Sequence, residues 1–366
     1  MSNIDNIDNN DTDVRKRWLH LVVAGDRRAY RKAEEVALTC HMPAYNSDPK
    51  ARTRITVLVN DLTEAQDFVF EYKELFDNSY WRVVDLTGKR PEIDMHRPQY
   101  EGRRPDFVDV EWEFVLGRMS NPVLQTKLRR WAGDQRQMLA VILCYDDANK
   151  NEKYSAMLKR RLPMSVRLDV CNDDPAEDAR RQEEYMRMGK YVHYFYQTSY
   201  NRDQVPTELP EDAVDQAWNA LNDTLKRSNV YNVMSIPVKM EILGHDRRDW
   251  DTFYALTAEE IEILTEVEHN RWCVERLMQG SRPCTDKERK EVENDMRLRL
   301  SDPEYAGANP VSLKKRYKTE RNAHYDLCAY SELGVDETGL PVTRYDRDLV
   351  AAIPLIVKTY HDRYNG

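Results

Sequence analysis

Three short segments in the last third of this 366-residue chain concentrate the residue types that do chemistry. They are Glu268-His269-Asn270-Arg271-Trp272, His324-Tyr325-Asp326-Leu327 and Tyr345-Asp346-Arg347-Asp348. The first lies in a segment from Ala258 to Gln279 whose apolar residues Leu264, Val267, Val274 and Leu277 mark the buried stripe of a helix. His269, Trp272 and Arg276 fall at i, i+3 and i+7 of that helix and share a neighbouring face. A tryptophan face beside arginine can stack a nucleobase or grip a cation, while imidazole and guanidinium bond phosphate or carboxylate. His324, Tyr325, Tyr345, Asp346 and Arg347 are the residues expected to close such a pocket, with the start of the last helix favouring an anion. The competing reading makes Trp272 core, pairs Arg271 with Glu268 or Glu275, and lets His324 cap a helix.

An E-H-x-R-W helix, an H-x-x-L loop and a Y-D-R-D helix start, in this order, resemble the RyR domain. That small helical repeat is best known from ryanodine receptors and also occurs in bacterial proteins. Bacterial RyR-type domains look similar to components of nucleotide-signalling and phage-defence systems. The resemblance therefore implies a ligand sensor, a second-messenger receptor, rather than a metabolic enzyme. The chain departs from the pattern after Gly280, where Ser281-Arg282-Pro283-Cys284 replaces the usual W-x-Y-G-P, and it carries a charged insertion around Asp286 to Leu300.

These elements need a scaffold, and the N-terminal half reads as alternating strand and helix. Short apolar runs occur at Leu19 to Ala24, Ile55 to Val59, Trp81 to Leu86, Glu113 to Leu116, Met138 to Tyr145 and Val166 to Cys171. Helical patterns lie between several of them, at Leu62 to Phe76 and Pro122 to Trp131 for example. Such alternation predicts a Rossmann-like parallel sheet covered on both faces, over roughly 15–175. Gly117-Arg118-Met119-Ser120-Asn121-Pro122-Val123-Leu124 and Leu143-Cys144-Tyr145-Asp146-Asp147-Ala148-Asn149 resemble two segments of TrkA-type NAD-binding domains. That resemblance implies NAD, ATP or an ADP-ribose-like nucleotide at the strand ends, near Gly25, Arg27, Asp61, Gly117, Arg118 and Asp147.

The dinucleotide glycine loop is missing, however. A pyrophosphate site needs G-x-G-x-x-G because side chains there obstruct the phosphates. Here the segment is Gly25-Asp26-Arg27-Arg28-Ala29-Tyr30, Arg118 stands where TrkA-type domains carry Asp, and the ribose-holding acid is Val59 or is displaced to Asp61. A scaffold without its nucleotide and a pocket altered for another phosphorylated ligand both remain open at this point.

Beyond a polar stretch at 176–183 the chain reads as all-helical, with an internal echo. Aligning Asn229 with Asp346 as helix N-caps places Ile236-Pro237 on Ile353-Pro354 without a gap. Two RyR-like units follow, 176–246 and 256–366, after a disordered tail over 1–14. The aromatic run Tyr191, His193, Tyr194 and Tyr196 reads mainly as a helical interface, and Lys314-Lys315-Arg316-Tyr317-Lys318 as a solvated loop that could meet phosphate.

Composition sets the limits. Hydrophobic residues are 41% and charged residues 33%, which fits a globular protein. A net charge of −9 disfavours a nucleic-acid partner. No apolar run is long enough for a membrane span, and the six cysteines, with no C-x-x-C pair, read as small buried hydrophobes of a cytoplasmic protein. No Walker motif, H-E-x-x-H helix, serine-triad elbow or paired-carboxylate signature appears, so no catalytic or metal residues are assigned. The expected partner is a nucleotide-like small molecule, with output through self-assembly into a homo-oligomer, another protein or a membrane channel. The alternatives are a nucleotide- or NAD-processing enzyme with His269 or His324 as general base, and a ligand-free scaffold.

Overall fold

A computed structural model describes residues 14–88, 93–98, 105–171, 175–202, 206–245 and 255–364. The expected tail over 1–14 lies almost wholly outside them. The first part runs β1 (Trp18–Gly25), α1 (Arg27–Thr39), α2 (Ala44–Ser47), β2 (Thr53–Val59), α3 (Leu62–Glu71), α4 (Lys73–Asn78), β3 (Tyr80–Asp85) and β4 (Ile93–His96). It continues with β5 (Val110–Leu116), α5 (Pro122–Ala132), β6 (Gln137–Cys144), α6 (Ala148–Lys159) and β7 (Arg167–Val170).

The strands form one sheet in the order β4-β3-β5-β2-β1-β6-β7. Every pairing is parallel except β3 with β4. Near-continuous apolar strands make this possible, because both faces must be covered. Leu21, Val23, Ile55, Val57, Trp112 and Phe114 point to one core, with Ala29, Ala33 and Val36 of α1 and Phe68 and Phe76 beyond them. Val22, Ala24, Leu58, Val115, Val141 and Leu143 point to the other, with Leu124 and Leu128 of α5 and Leu158 of α6. The parallel-sheet expectation holds, and the arrangement is compatible with a Rossmann-like domain.

Three details differ from the sequence reading. The strand β4 is absent from that reading, and β5 inserts between β2 and β3, so order in the sheet does not follow order in the chain. The helix expected over Leu62 to Phe76 turns at Tyr72 into α3 and α4, which lets Phe68, Leu75 and Phe76 all reach the core. A polar row also crosses the sheet: His20 Nε2 meets Thr56 Oγ1 at 2.9 Å, and Glu113 accepts from Thr56 at 3.3 Å and from Arg82 Nε at 2.8 Å.

The second part comprises α7 (Pro175–Arg202), α8 (Glu211–Asn219), α9 (Asp223–Ile242), α10 (Ala258–Met278), β8 (Arg282–Pro283), α11 (Asp286–Ser301), α12 (Pro303–Ala308), α13 (Leu313–Arg321), β9 (Ala323–His324), α14 (Arg344–Ala351) and α15 (Ile353–Tyr364). It is not purely helical, since β8 and β9 pair in parallel. The polar stretch at 176–183 forms the first turns of α7. Among the described residues no helix is long and apolar enough to cross a membrane.

Ile236-Pro237 and Ile353-Pro354 both lie in helices, and Ile236 and Ile353 enter the same core with α7. The expected N-caps are corrected. Asn222, not Asn229, caps α9, its side chain accepting from the Leu225 amide at 2.9 Å; Asn229 lies inside that helix. Asp346 sits within the first turn of α14, where its carboxylate turns inward to His269 at 3.4 Å. Helix α9 runs through its proline, whereas the chain breaks at Ala352 between α14 and α15, so the two echoes are built differently.

The two parts share helix α10. Its Leu264 enters the core of α7, α9, α14 and α15, while its Cys273, Val274 and Leu277 enter the sheet core with Leu327. Asn270 Nδ2 also donates to Asn46 Oδ1 at 3.2 Å. A chain ending at residue 175 is therefore expected to expose part of the sheet core, bind a hydrophobic dye and lose cooperative melting. A sharp calorimetric transition matching that of the full chain would show instead that the sheet is self-sufficient.

Candidate functional site

The site is built on α10, whose start is fixed by a capping box: Thr257 Oγ1 accepts from the Glu260 amide at 3.2 Å and Glu260 reaches back to the Thr257 amide at 2.8 Å. One face of this helix carries charge into the interior. Glu268 accepts from Lys239 Nζ at 2.5 Å, from Arg271 Nε at 2.9 Å and from Asn232 Nδ2 at 2.8 Å. Arg271 Nη1 donates to Glu275 at 2.8 Å. All four charged side chains are no more than 3% exposed. Burial pushes the Glu268 carboxyl up, but Arg271 and Lys239 outweigh it and bring it down to about 2. Burial lowers the Lys239 pKa. The pairing expected of Arg271 with Glu268 or Glu275 is realised with both.

The adjacent face holds His269, Trp272 and Arg276, as the spacing predicts. His269 is 2% exposed, with Nε2 donating to the Cys328 carbonyl at 2.9 Å and Nδ1 3.4 Å from Asp346. Burial opposes its charge, but the Cys273 sulfur and the Asp346 carboxylate outweigh burial and raise its pKa well above the ordinary value. An imidazolium with both N–H groups engaged is a clamp between α10, the 324–330 segment and α14.

Trp272 is half-buried. Its ring stacks on that of His269 at 5.8 Å between centroids and meets His324 edge-on at 4.8 Å, while the Arg276 guanidinium carbon lies 5.9 Å from its centroid. The indole N–H makes no hydrogen bond among the described residues. Trp272 touches the sheet core without being enclosed by it, so it is neither a plain core residue nor a free surface ring.

His324 is 5% exposed and belongs to β9, not to a helix cap. Its Nδ1 accepts from the Asp326 amide at 3.3 Å, which leaves the neutral ring's proton on Nε2. Burial lowers its pKa to about 3; Asp326 works against this, and Lys318, Lys314 and Arg276 add to it. Those lysines belong to α13, a helix where the sequence suggests a loop. Lys314 Nζ bonds Asp326 at 2.8 Å. Lys318 has no ion-pair partner among the described residues, and crowding by protein atoms and by the Arg276 charge lowers its pKa although the side chain remains exposed.

Of the other expected residues, Asp346 joins the cluster through His269 alone. Tyr325 turns towards α11, where its carbonyl accepts from Arg289 at 3.1 Å and its ring lies under that guanidinium. Tyr345 donates to Asp336 at 2.6 Å, and Arg347 pairs with Glu262 on the surface. They do not close a pocket over Trp272. Lys314 and Lys318 are the members the sequence reading left out of the site. The K-K-R-Y-K run was the available signal, but nothing local says that it folds back on His324.

The strand-end crevice of the sheet is filled from within. At Gly25 a Cβ would come within 2.3 Å of the Cys144 carbonyl oxygen, so that glycine serves strand packing. Asp26 accepts from the Asp146 amide at 2.9 Å, and Arg28 pairs with Asp146 at 3.0 Å while also donating to the Tyr145 carbonyl. Asp61 and Asp147 are spent as N-caps, accepting from the Thr63 and Asn149 amides, each at 3.0 Å. Gly117 donates its amide to the Val59 carbonyl at 3.2 Å, and Arg27 and Arg118 lie exposed. Cys144 and Cys171 bring their sulfurs together at the ends of β6 and β7, so these two are a pair and not separate hydrophobes.

No family model, curated protein or solved structure matches this chain.

Two stability outcomes follow. Glu268→Ala leaves Lys239 and Arg271 short of their counter-charge and is expected to cost about 3–5 kcal/mol in denaturant unfolding. Arg347→Ala, which breaks only an exposed pair, should cost about 1 kcal/mol or less. The histidines set the pH profile. His20 and His324 both have pKa values lowered to about 3, so stability should fall as pH drops below about 6.5, by about 1.4 kcal/mol per unit for each. His269 is raised, so its contribution is complete below about 6.5 and is lost as pH rises through its folded value. In His324→Asn the acid slope between about pH 6.5 and 5 should fall by about 1.4 kcal/mol per unit, with His20 and His193 still contributing; an unchanged slope would assign that limb to other groups.

Proposed function

We propose that this protein is a sensor that binds a nucleotide-derived small molecule on the Trp272 face, where α10 meets α13 and the 323–328 segment. The observation that carries the reading is the half-buried indole bordered by Arg276 and the neutral His324, with the charge of Lys318 bearing on both. A planar base finds a stacking surface there, and an anionic group finds cations at its rim. The RyR-like motifs that carry Trp272 and His324 agree with a second-messenger receptor, including one acting in phage defence in the cytoplasm. Output would pass through self-assembly, a protein partner or a membrane channel. The self-filled crevice of the sheet supports placing NAD, ATP or ADP-ribose-like ligands at Trp272 rather than at the strand ends. Catalysis is the weaker reading, because His269 is held as a doubly engaged imidazolium and His324 is too weak a base.

A thermal-shift panel of adenine nucleotides, NAD, ADP-ribose and cyclic dinucleotides tests this. At a hundred times its dissociation constant a ligand should stabilise the full chain by about 2.7 kcal/mol. Trp272→Ala should abolish the shift while keeping a cooperative melt. Binding that survives Trp272→Ala and is lost in Arg27→Ala or Arg118→Ala would move the site to the sheet, and silence across the panel would favour the scaffold.

A further inference from the structure

We infer that the seam between α10, α13 and the 323–328 segment is built for a terminal phosphate, a monoester carried as a dianion, in preference to a phosphodiester. The inference deepens the reading above, in that the indole would carry the ring of the same ligand.

Charge decides the class. Glu268 and Glu275 are matched inside the protein by Lys239 and Arg271. What remains around His324 is Arg276, Lys314 and Lys318 against the single carboxylate of Asp326. Cations outnumber carboxylates there, with Arg276 sharing Glu275 at 3.3 Å, Lys314 held by Asp326 at 2.8 Å and Lys318 left over, in a chain whose net charge is −9. A phosphate monoester above its second pKa of about 6 carries nearly two negative charges, and a diester only one.

Donor geometry agrees. The Arg276 fork is already engaged, Nη1 with Gln279 at 3.0 Å and Nη2 with Ser228 at 3.0 Å and Glu275 at 3.3 Å. A bidentate carboxylate clamp is therefore not on offer. The Arg276 Nε, in contrast, is buried with no hydrogen-bond partner. His324 Nε2 likewise has none among the described residues, on a side chain that is otherwise enclosed. Lys318 adds an ammonium without an ion pair. Donors on separate elements, His324 Nε2 on β9 and Lys318 on α13, suit the tetrahedral oxygens of a terminal phosphate better than a planar carboxylate. His324 supplies a neutral N–H, so the charge match does not change while the pH stays well above its own titration.

The test is calorimetric titration of the full chain at low chloride with AMP, 3′,5′-cyclic AMP, adenosine and methyl phosphate. At about pH 7.5, AMP should bind about tenfold or more tighter than cyclic AMP, and lowering the pH to about 5.5 should weaken AMP and methyl phosphate but not cyclic AMP or adenosine. Lys318→Gln, an exposed substitution that should leave the melt unchanged, should reduce AMP to the affinity of cyclic AMP. Equal affinities for AMP, cyclic AMP and adenosine would overturn the phosphate inference and leave the stacking site standing. Lys318-dependent binding of methyl phosphate, with adenosine adding nothing, would support the phosphate site and remove the nucleotide reading. Absence of binding by all four probes would overturn both.

Discussion

Helix α10 depends on charges that have been taken out of water and matched inside. Lys239, Glu268, Arg271 and Glu275 would each be costly alone in the interior, where removal of one partner leaves the other without compensation. Together they form a chain of contacts that fixes the rotation of α10 against α9. That rotation decides everything else on the helix. It sends Cys273, Val274 and Leu277 into the sheet core and Leu264 into the helical core, and turns His269, Trp272 and Arg276 towards β9 and α13. Hydrophobic packing alone would tolerate small rotations; the buried contacts of Lys239 and Asn232 on α9 with Glu268 on α10 do not. The ion network thus acts as a register pin for the site while lying outside it.

The parallel sheet was readable in the sequence because its strands are short, apolar and separated by helical patterns. Six of the seven strands appear as apolar runs; β4, Ile93–His96, does not, since Ile-Asp-Met-His alternates over only four residues and forms no apolar run. Insertion of β5 between β2 and β3 is a tertiary choice with no local trace. At the candidate site, the i, i+3, i+7 spacing was enough to put His269, Trp272 and Arg276 on one face. Spacing could not tell that His269 would be enclosed and Trp272 left partly open, because that depends on what the 323–328 segment covers. The caps were misplaced for a similar reason. Asn229 and Asp346 have good capping side chains, but Asn222 and Thr343 lie earlier in the same helices, and the Asp346 carboxylate is drawn inward by His269.

Sheet topology alone would direct attention to the carboxyl ends of β1 and β6, where ligands commonly enter open α/β sheets. In this chain the Asp26–Asp146 and Arg28–Asp146 contacts occupy that position, and Gly25 is needed merely to let the strands approach. Fold and site have separated: the sheet gives α10 one wall to rest on, and Trp272 borders that wall while it meets His324 on β9. Function has to be argued from the Trp272 face and not from the scaffold.

The elements around Trp272 are not equally held. Helix α10 is committed to two large cores and to the ion network, so it has little freedom to move. Opposite it, α13 and β9 belong to a small separate cluster of Cys284, Val292, Met296, Tyr317, Ala323 and Tyr325. That cluster meets α10 through polar and edge contacts, chiefly His269 to the Cys328 carbonyl and His324 against Trp272. Few buried apolar contacts and several lysines make it the less stable side of the seam. An anion shared by Arg276 and Lys318 would draw α13 towards a fixed α10 rather than the reverse. Any conformational output would then appear in the α11–α13 segment, on the outer surface, while the sheet stays as it is.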